Sequence, residues 1–242
     1  MPLCSPPSPP SFTLCESFVH TVCLAKCRNL SKVTFWGCAK FDNVSLQTLC
    51  KITSLVHLNI TACFNITDAE DAEWCIPDLP NLRSLVAAEC HRLGDKFVNV
   101  VATKCRNLTF FDIRYLRKVT DAGILALIDL PRLYCLDVSF VTKVTAEALG
   151  LVLEFGAGLA ELRAFSCIQL GNENVERCLK GGTRGEEHLS VLDLRRTACV
   201  PPLLFLTESG ELGELGEDSR ASRPFGMHAP LFFTRDSRRV LN

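Results

Sequence analysis

Residues 55–68 read LVHLNITACFNITD, and this stretch decides the fold. Leu55, Leu58 and Ile60 alternate with His57 and Asn59, the period-two pattern of a strand with one buried face. Cys63 follows as a small turn residue. The link Asn65 to Asp68 then offers Thr67 and Asp68, whose side-chain oxygens satisfy the unpaired N–H groups of a helix start. Thr67 with Glu70 also fits a capping box. The stretch therefore reads strand, turn, helix start.

The same phrase, L-x-x-L-x-L, opens again and again along the chain. Its first leucines are Leu30, Leu55, Leu82, Leu108, Leu133, Leu159 and Leu189, at intervals (by subtraction) of 25, 27, 26, 25, 26 and 30. Good copies are LTFFDI from Leu108, LYCLDV from Leu133 and LSVLDL from Leu189. Apolar residues recur at helical spacing after each turn: Leu46 and Leu49, Phe97 with Val100 and Val101, Ile124 and Leu127, Leu149 and Val152. A fixed period of roughly 20–29 residues with this phrase is the signature of a leucine-rich-repeat solenoid. The expected fold is an α/β right-handed horseshoe, with parallel strands on the concave face and helices on the convex face. Strands are expected near residues 32–36, 57–61, 84–88, 110–114, 135–139 and 161–165, with a seventh near 191–195. Each buried apolar side chain contributes roughly 1.5–3 kcal/mol, but only once neighbouring units stack.

The ends of the array are less regular. Phe18 to Leu30 (FVHTVCLAKCRNL) echoes Phe97 to Leu108 (FVNVVATKCRNL), so the repeats begin in mid-unit. Residues 1–17 are Pro/Ser-rich and read as disordered; residues 18–197 read as the repeat domain, of six to seven units; residues 198–242 read as a low-complexity, disordered tail with an acidic patch from Glu208 to Asp218. Neither end carries a recognisable capping unit, so exposed apolar edges near residues 18–30 and 189–197 are expected to promote association.

Composition narrows the function. The 242 residues are 48% apolar, with 26 Lys plus Arg against 27 Asp plus Glu. That balance leaves no basic footprint for nucleic acid. No apolar run reaches the length of a membrane span, and the start is not a secretory signal. A cytoplasmic or nuclear location is expected. Fourteen cysteines are numerous, but most fall on the repeat grid: Cys38, Cys63, Cys90 and Cys167 share the turn position, and Cys27 and Cys105 precede Arg-Asn-Leu. Buried free thiols fit this placement better than disulfides or metal sites.

The turn cysteine, the following I-T-D or V-T-D and the C-R-N-L phrase resemble the cysteine-containing repeats of F-box/LRR proteins. The likeness covers about residues 18–197. It implies a receptor surface that holds a protein, and substrate recognition for a Skp–cullin–F-box ubiquitin ligase. Two turns depart from it, with Leu116 and Val141 in place of cysteine. The residues ahead of the repeats show no F-box helices, so a Skp-type adaptor is expected as a partner only if an F-box lies elsewhere. The alternative reading is a standalone repeat scaffold or regulatory protein without a ligase link, or a truncated gene product.

Catalysis is not expected. Cys90–His91 is the one adjacent thiol–imidazole pair, and neighbours on an extended segment point to opposite sides. No nucleophile elbow, phosphate loop or zinc-protease motif occurs, and no cofactor or metal is expected. The concave face carries the stronger signal. The third, fifth and seventh residues of each phrase face it, and they place Trp36, Phe110, Asp112, Arg114, Asp137, Arg163 and Phe165 there, with Tyr115 and Phe140 just beyond. Aromatic residues and arginine are what interface hot spots favour, so a protein partner is expected on this face.

Overall fold

Every phrase that alternates in sequence becomes a strand, and the strands stack side by side in register. The computed structural model describes residues 29–68, 79–156 and 158–167, together with the strand backbones of residues 11–15, 191–193, 204–206 and 212–214. The strands are β1 (Ser11–Cys15), β2 (Lys32–Trp36), β3 (His57–Asn59), β4 (Ser84–Val86), β5 (Phe110–Asp112), β6 (Cys135–Asp137), β7 (Glu161–Arg163) and β8 (Val191–Asp193). They form one eight-stranded sheet in chain order. Every pairing is parallel, with Lys32, His57, Ser84, Phe110, Cys135, Glu161 and Val191 in one row of the register.

Between the strands lie α1 (Asn43–Leu49), α2 (Asp95–Lys104), α3 (Asp121–Leu125), which runs into a 3-10 turn (Ala126–Asp129), and α4 (Ala146–Phe155). Parallel strands in one sheet need such crossovers, and these are short because each unit is only some 26 residues long. Strand leucines and helix aliphatics share one continuous core: Leu58, Leu85, Phe111 and Leu136 from the sheet meet Leu49, Phe97, Ile124 and Val152 from the helices. The chain is an α/β leucine-rich-repeat solenoid.

Three devices repeat along the stack. The first is a left-handed turn residue just before the turn cysteine position: Gly37, Ala62, Glu89, Tyr115, Phe140 and Ser166 all have positive φ. Its N–H still reaches the next unit, as in Ala62 N to Ala88 O at 2.9 Å and Phe140 N to Phe165 O at 2.8 Å. The second is the turn thiol, which donates back to the preceding unit: Cys63 to Phe35 O, Cys90 to Ile60 O and Cys167 to Val138 O, at 3.9, 3.0 and 3.1 Å. The third is an acid that caps the next helix. Asp95 accepts from Thr120 N, Thr120 Oγ1 and Gly123 N, and Asp121 accepts from Thr145 N and Oγ1. Asp68 takes Gly94 N and Phe97 N at a helix whose own cap is a glycine.

Short strands lie within both end stretches. Residues 1–17, taken as disordered, include β1, paired with β2 over five residues. The prolines stop at Pro10, and SFTLC alternates Phe12 and Leu14 with polar neighbours, which is enough for an edge strand. The tail taken as disordered includes β9 (Leu204–Leu206) paired antiparallel with β10 (Leu212–Glu214). Its Leu-Phe-Leu run was concealed by the Gly/Glu composition around it. The helix expected after Thr67, with Glu70, lies outside the described residues, as does the unit following Cys167 apart from β8.

Candidate protein-binding surface

The concave face is built from the odd residues of each phrase. At the fifth position a short side chain turns back on its own strand end. Asn59 Oδ1 accepts Thr61 N at 2.9 Å, Asp112 Oδ1 accepts Arg114 N at 3.0 Å, and Asp137 Oδ1 accepts Ser139 N at 3.0 Å. This local bond ends the strand and starts the turn, the habit of Asn and Asp side chains. Asp112 and Asp137 therefore stand side by side in the register, only 3% and 6% exposed.

Two buried carboxylates next to each other require a cation. Arg114 supplies it: Nη2 lies 2.7 Å from Asp112 Oδ2, Nε bonds both Asp112 oxygens, and Nε is 3.6 Å from Asp137 Oδ2. The hydrogen bond to Asp112 raises the Arg114 pKa above its ordinary value. Asp137 titrates above the usual carboxylate range, chiefly because burial disfavours its charge, with Asp112 adding repulsion and the bonds from Ser139 opposing. Ser139 Oγ in turn accepts Phe165 N at 3.1 Å.

Arg163 stands beside Asp137 in the register but pairs along its own strand, with Nη2 3.1 Å from Glu161 Oε2. Phe110, Arg163 and Glu161 line a groove of about 670 Å³ together with Tyr134, Arg132 and the largely buried Cys135. Burial pushes the Cys135 thiol up to about 12, so it is a neutral donor and not a nucleophile at neutral pH.

Below the strand ends the aromatics form a rim. The Tyr115 and Phe140 rings stack at 4.2 Å and 7°, and Phe165 meets Phe140 edge-on at 5.0 Å. Both stacked residues occupy the left-handed turn position. Phe110, Asp112, Arg114, Asp137, Arg163 and Phe165 thus sit together on three adjacent strands and their turns. Trp36 does not join them: it is 61% exposed on β2, three strands away from β5, or about 14 Å at the usual strand spacing. Tyr134 and Arg132 were missed from the sequence. Tyr134 occupies the second position of its phrase, which the alternation assigns to neither face, and only the groove shows what it borders.

The four turn cysteines are buried and form no disulfide. Burial drives Cys63 and Cys90 up to about 12 and Cys167 to about 11. The Cys90 thiol points inward to Ile60 O, whereas the exposed His91 ring stacks on Phe64 and its Nδ1 lies 3.1 Å from Tyr115 O. The two groups lie on opposite sides of the turn. Among the described residues no cluster of three or more His, Cys, Asp or Glu is placed to hold a metal, and no helix is long and apolar enough to cross a membrane.

No protein-family model matches the chain, and comparison with curated proteins gives no match. Similar solved structures include the Rad7 and Elc1 complex from yeast, with TM-score 0.43 and 14% identity over 76% of this chain and 62% of that chain. Another is an internalin (inlF) from Listeria monocytogenes, with TM-score 0.37 and 16% identity over 75% of this chain and 58% of that one. The chain spans less than two thirds of either.

Proposed function

We propose that this solenoid is a protein-binding module whose concave centre holds a partner protein. The observation that carries the reading is the gathering of Phe110, Arg114, Arg163 and Phe165 with the Tyr115–Phe140 stack on three adjacent repeats. Aromatics and arginines with their stems packed and their faces open are what concentrate binding energy in interfaces. Asp112 and Asp137 fix Arg114 from below, which lowers the entropy lost when it meets a ligand.

The finer reading is substrate recognition for a Skp–cullin–F-box ubiquitin ligase, in the cytoplasm or nucleus. The repeat phrase with its turn cysteine, I-T-D link and C-R-N-L supports it. Such a role needs binding only, with no catalytic group, cofactor or metal on this chain, and no nucleic acid or membrane. The Skp-type adaptor would be engaged through an F-box.

The test is affinity capture with the full chain, comparing the native sequence with a Phe110→Ala/Arg163→Ala double variant. Retained proteins are identified by mass spectrometry, and Skp-type adaptors and cullins are probed directly. The reading expects a partner that the double variant loses, with adaptor and cullin retained only where the chain is joined to an F-box. Equal retention by the variant removes the concave site; a lost partner that is not ubiquitinated in cells removes the ligase link alone.

A further inference from the structure

We propose that the groove between β5 and β7 takes an acidic peptide segment. An Asp or Glu side chain would be held by Arg132 and Arg163, with an adjacent apolar side chain against Phe110 and Tyr134. This rests on the concave-face reading above and names the chemistry of the partner.

The groove is one-sided in charge. It holds two arginines and one carboxylate, and that carboxylate is already committed. Glu161 takes the Nη2 of Arg163 at 3.1 Å. Two cations less one anion leave a single positive charge. Asp112 and Asp137 do not line the groove; both turn to Arg114, which binds Asp112 and approaches Asp137.

Both arginines have donors to give. Arg132 is exposed and makes no ion pair among the described residues. Arg163 uses one of five N–H groups on Glu161, while its Nε is shielded from solvent and has no acceptor. A buried donor without an acceptor is a standing penalty, relieved when the guanidinium turns to a ligand oxygen. A carboxylate is the acceptor whose shape matches a guanidinium fork. The walls add an apolar requirement: Tyr134 is 48% exposed and Phe110 is half-buried, so both present ring surface to an incoming side chain.

Two cations beside a committed acid are too few for a nucleic-acid backbone, which needs a row of phosphate contacts. A basic segment would meet Arg132 and Arg163 with like charge and leave the Arg163 Nε unpaired. An acidic segment satisfies both.

The experiment selects random dodecapeptides displayed on phage against the full chain, then measures the synthetic winners by fluorescence anisotropy. Winners should carry Asp or Glu beside an aromatic or aliphatic residue. Arg132→Ala should weaken them about tenfold, and changing the peptide acid to its amide should cost about the same. The two losses should be less than additive, since both act on the contact between Arg132 and the peptide acid. Arg163→Lys, which keeps the charge but not the fork, should weaken binding as well, and Lys32→Ala should leave it unchanged. Winners without an acid, or affinities indifferent to Arg132→Ala and Arg163→Lys, overturn the acidic groove. If such peptides are still lost in Phe165→Ala, the concave face survives and only its chemistry is wrong. If no peptide is retained, both readings fall.

Discussion

The turns at Cys63, Cys90 and Cys167 and the turns at Leu116 and Val141 make the same bend with different residues. In all five a left-handed residue precedes the turn position, and the turn N–H returns to its own strand end in four of them, as in Cys90 N to Ala87 O and Leu116 N to Ile113 O. The cysteine turns add a thiol bond to the preceding unit. The central turns give that up, fill the position with buried Leu116 and Val141, and place Tyr115 and Phe140 at the left-handed position, where their rings stack. So the backbone does not need the thiol to turn. The two units that abandon it are the ones that carry the stacked Tyr115–Phe140 pair and Arg114, and there surface chemistry has taken the place of the repeat consensus.

The contrast can be broken most severely in the core. Leu116→Ala leaves a cavity under the central turn and should cost about 2–5 kcal/mol in urea unfolding. Cys90→Ala should cost only about 1 kcal/mol, because the Ile60 carbonyl that loses the thiol keeps the N–H of Cys63 at 3.2 Å. Equal losses would show that the cysteine ladder is a main support of the stack and not an accessory.

Removing an acid that joins units comes next. Asp95→Ala strips three donors at the start of α3 of their acceptor, and should lower stability by about 1–2 kcal/mol. The thermal midpoint would fall accordingly. An unchanged midpoint would mean that Thr120 caps α3 without help from its neighbour.

The buried acids of the central units give a pH signature. Asp137 titrates above its ordinary value of 3.8, so the fold binds its proton more tightly than the unfolded chain does. Stability from this group is present below the unfolded pKa and falls as pH rises through the folded one. Asp137→Asn should therefore raise the thermal midpoint at pH 7, with the gain shrinking as pH drops towards 4. A variant less stable than the native chain at neutral pH would show that Arg114 repays the burial of the charge in full.

The smallest effect separates the two kinds of turn directly. Glu89→Gly relieves a left-handed residue and should stabilise by up to about 1 kcal/mol. Phe140→Gly gains the same relief but loses two ring contacts, each worth about 0.5–1.5 kcal/mol, and should be neutral or destabilising. If both glycines stabilise equally, the rim rings contribute nothing to the fold and are held there for binding alone.

What could be read beforehand follows the same division. Strands β2 to β8 were legible because a wrong register would turn Leu58, Leu85 and Leu136 outwards. The turn cysteines were legible because they recur. β1 was hidden by the prolines before it, and the β9–β10 pair by glycines and glutamates. Within the candidate site, Phe110, Arg114, Arg163 and Phe165 could be named from alternation. That Asp112 and Asp137 are buried under Arg114 could not, since alternation gives a face and not a depth. Arg132 and Tyr134 stand outside the alternating positions, and only stacking three repeats brings them to one groove.

The most direct test of the account is photo-crosslinking with p-benzoylphenylalanine placed singly at Phe110, at Phe165, and at two exposed helix positions, Val44 and Phe155. Each chain is irradiated in cell extract, and adducts are resolved by mass and sequenced. The account predicts one discrete protein adduct shared by the Phe110 and Phe165 chains and absent from the Val44 and Phe155 chains. Adducts that form equally or preferentially from the helix positions would contradict it and move the binding surface to the other side of the solenoid.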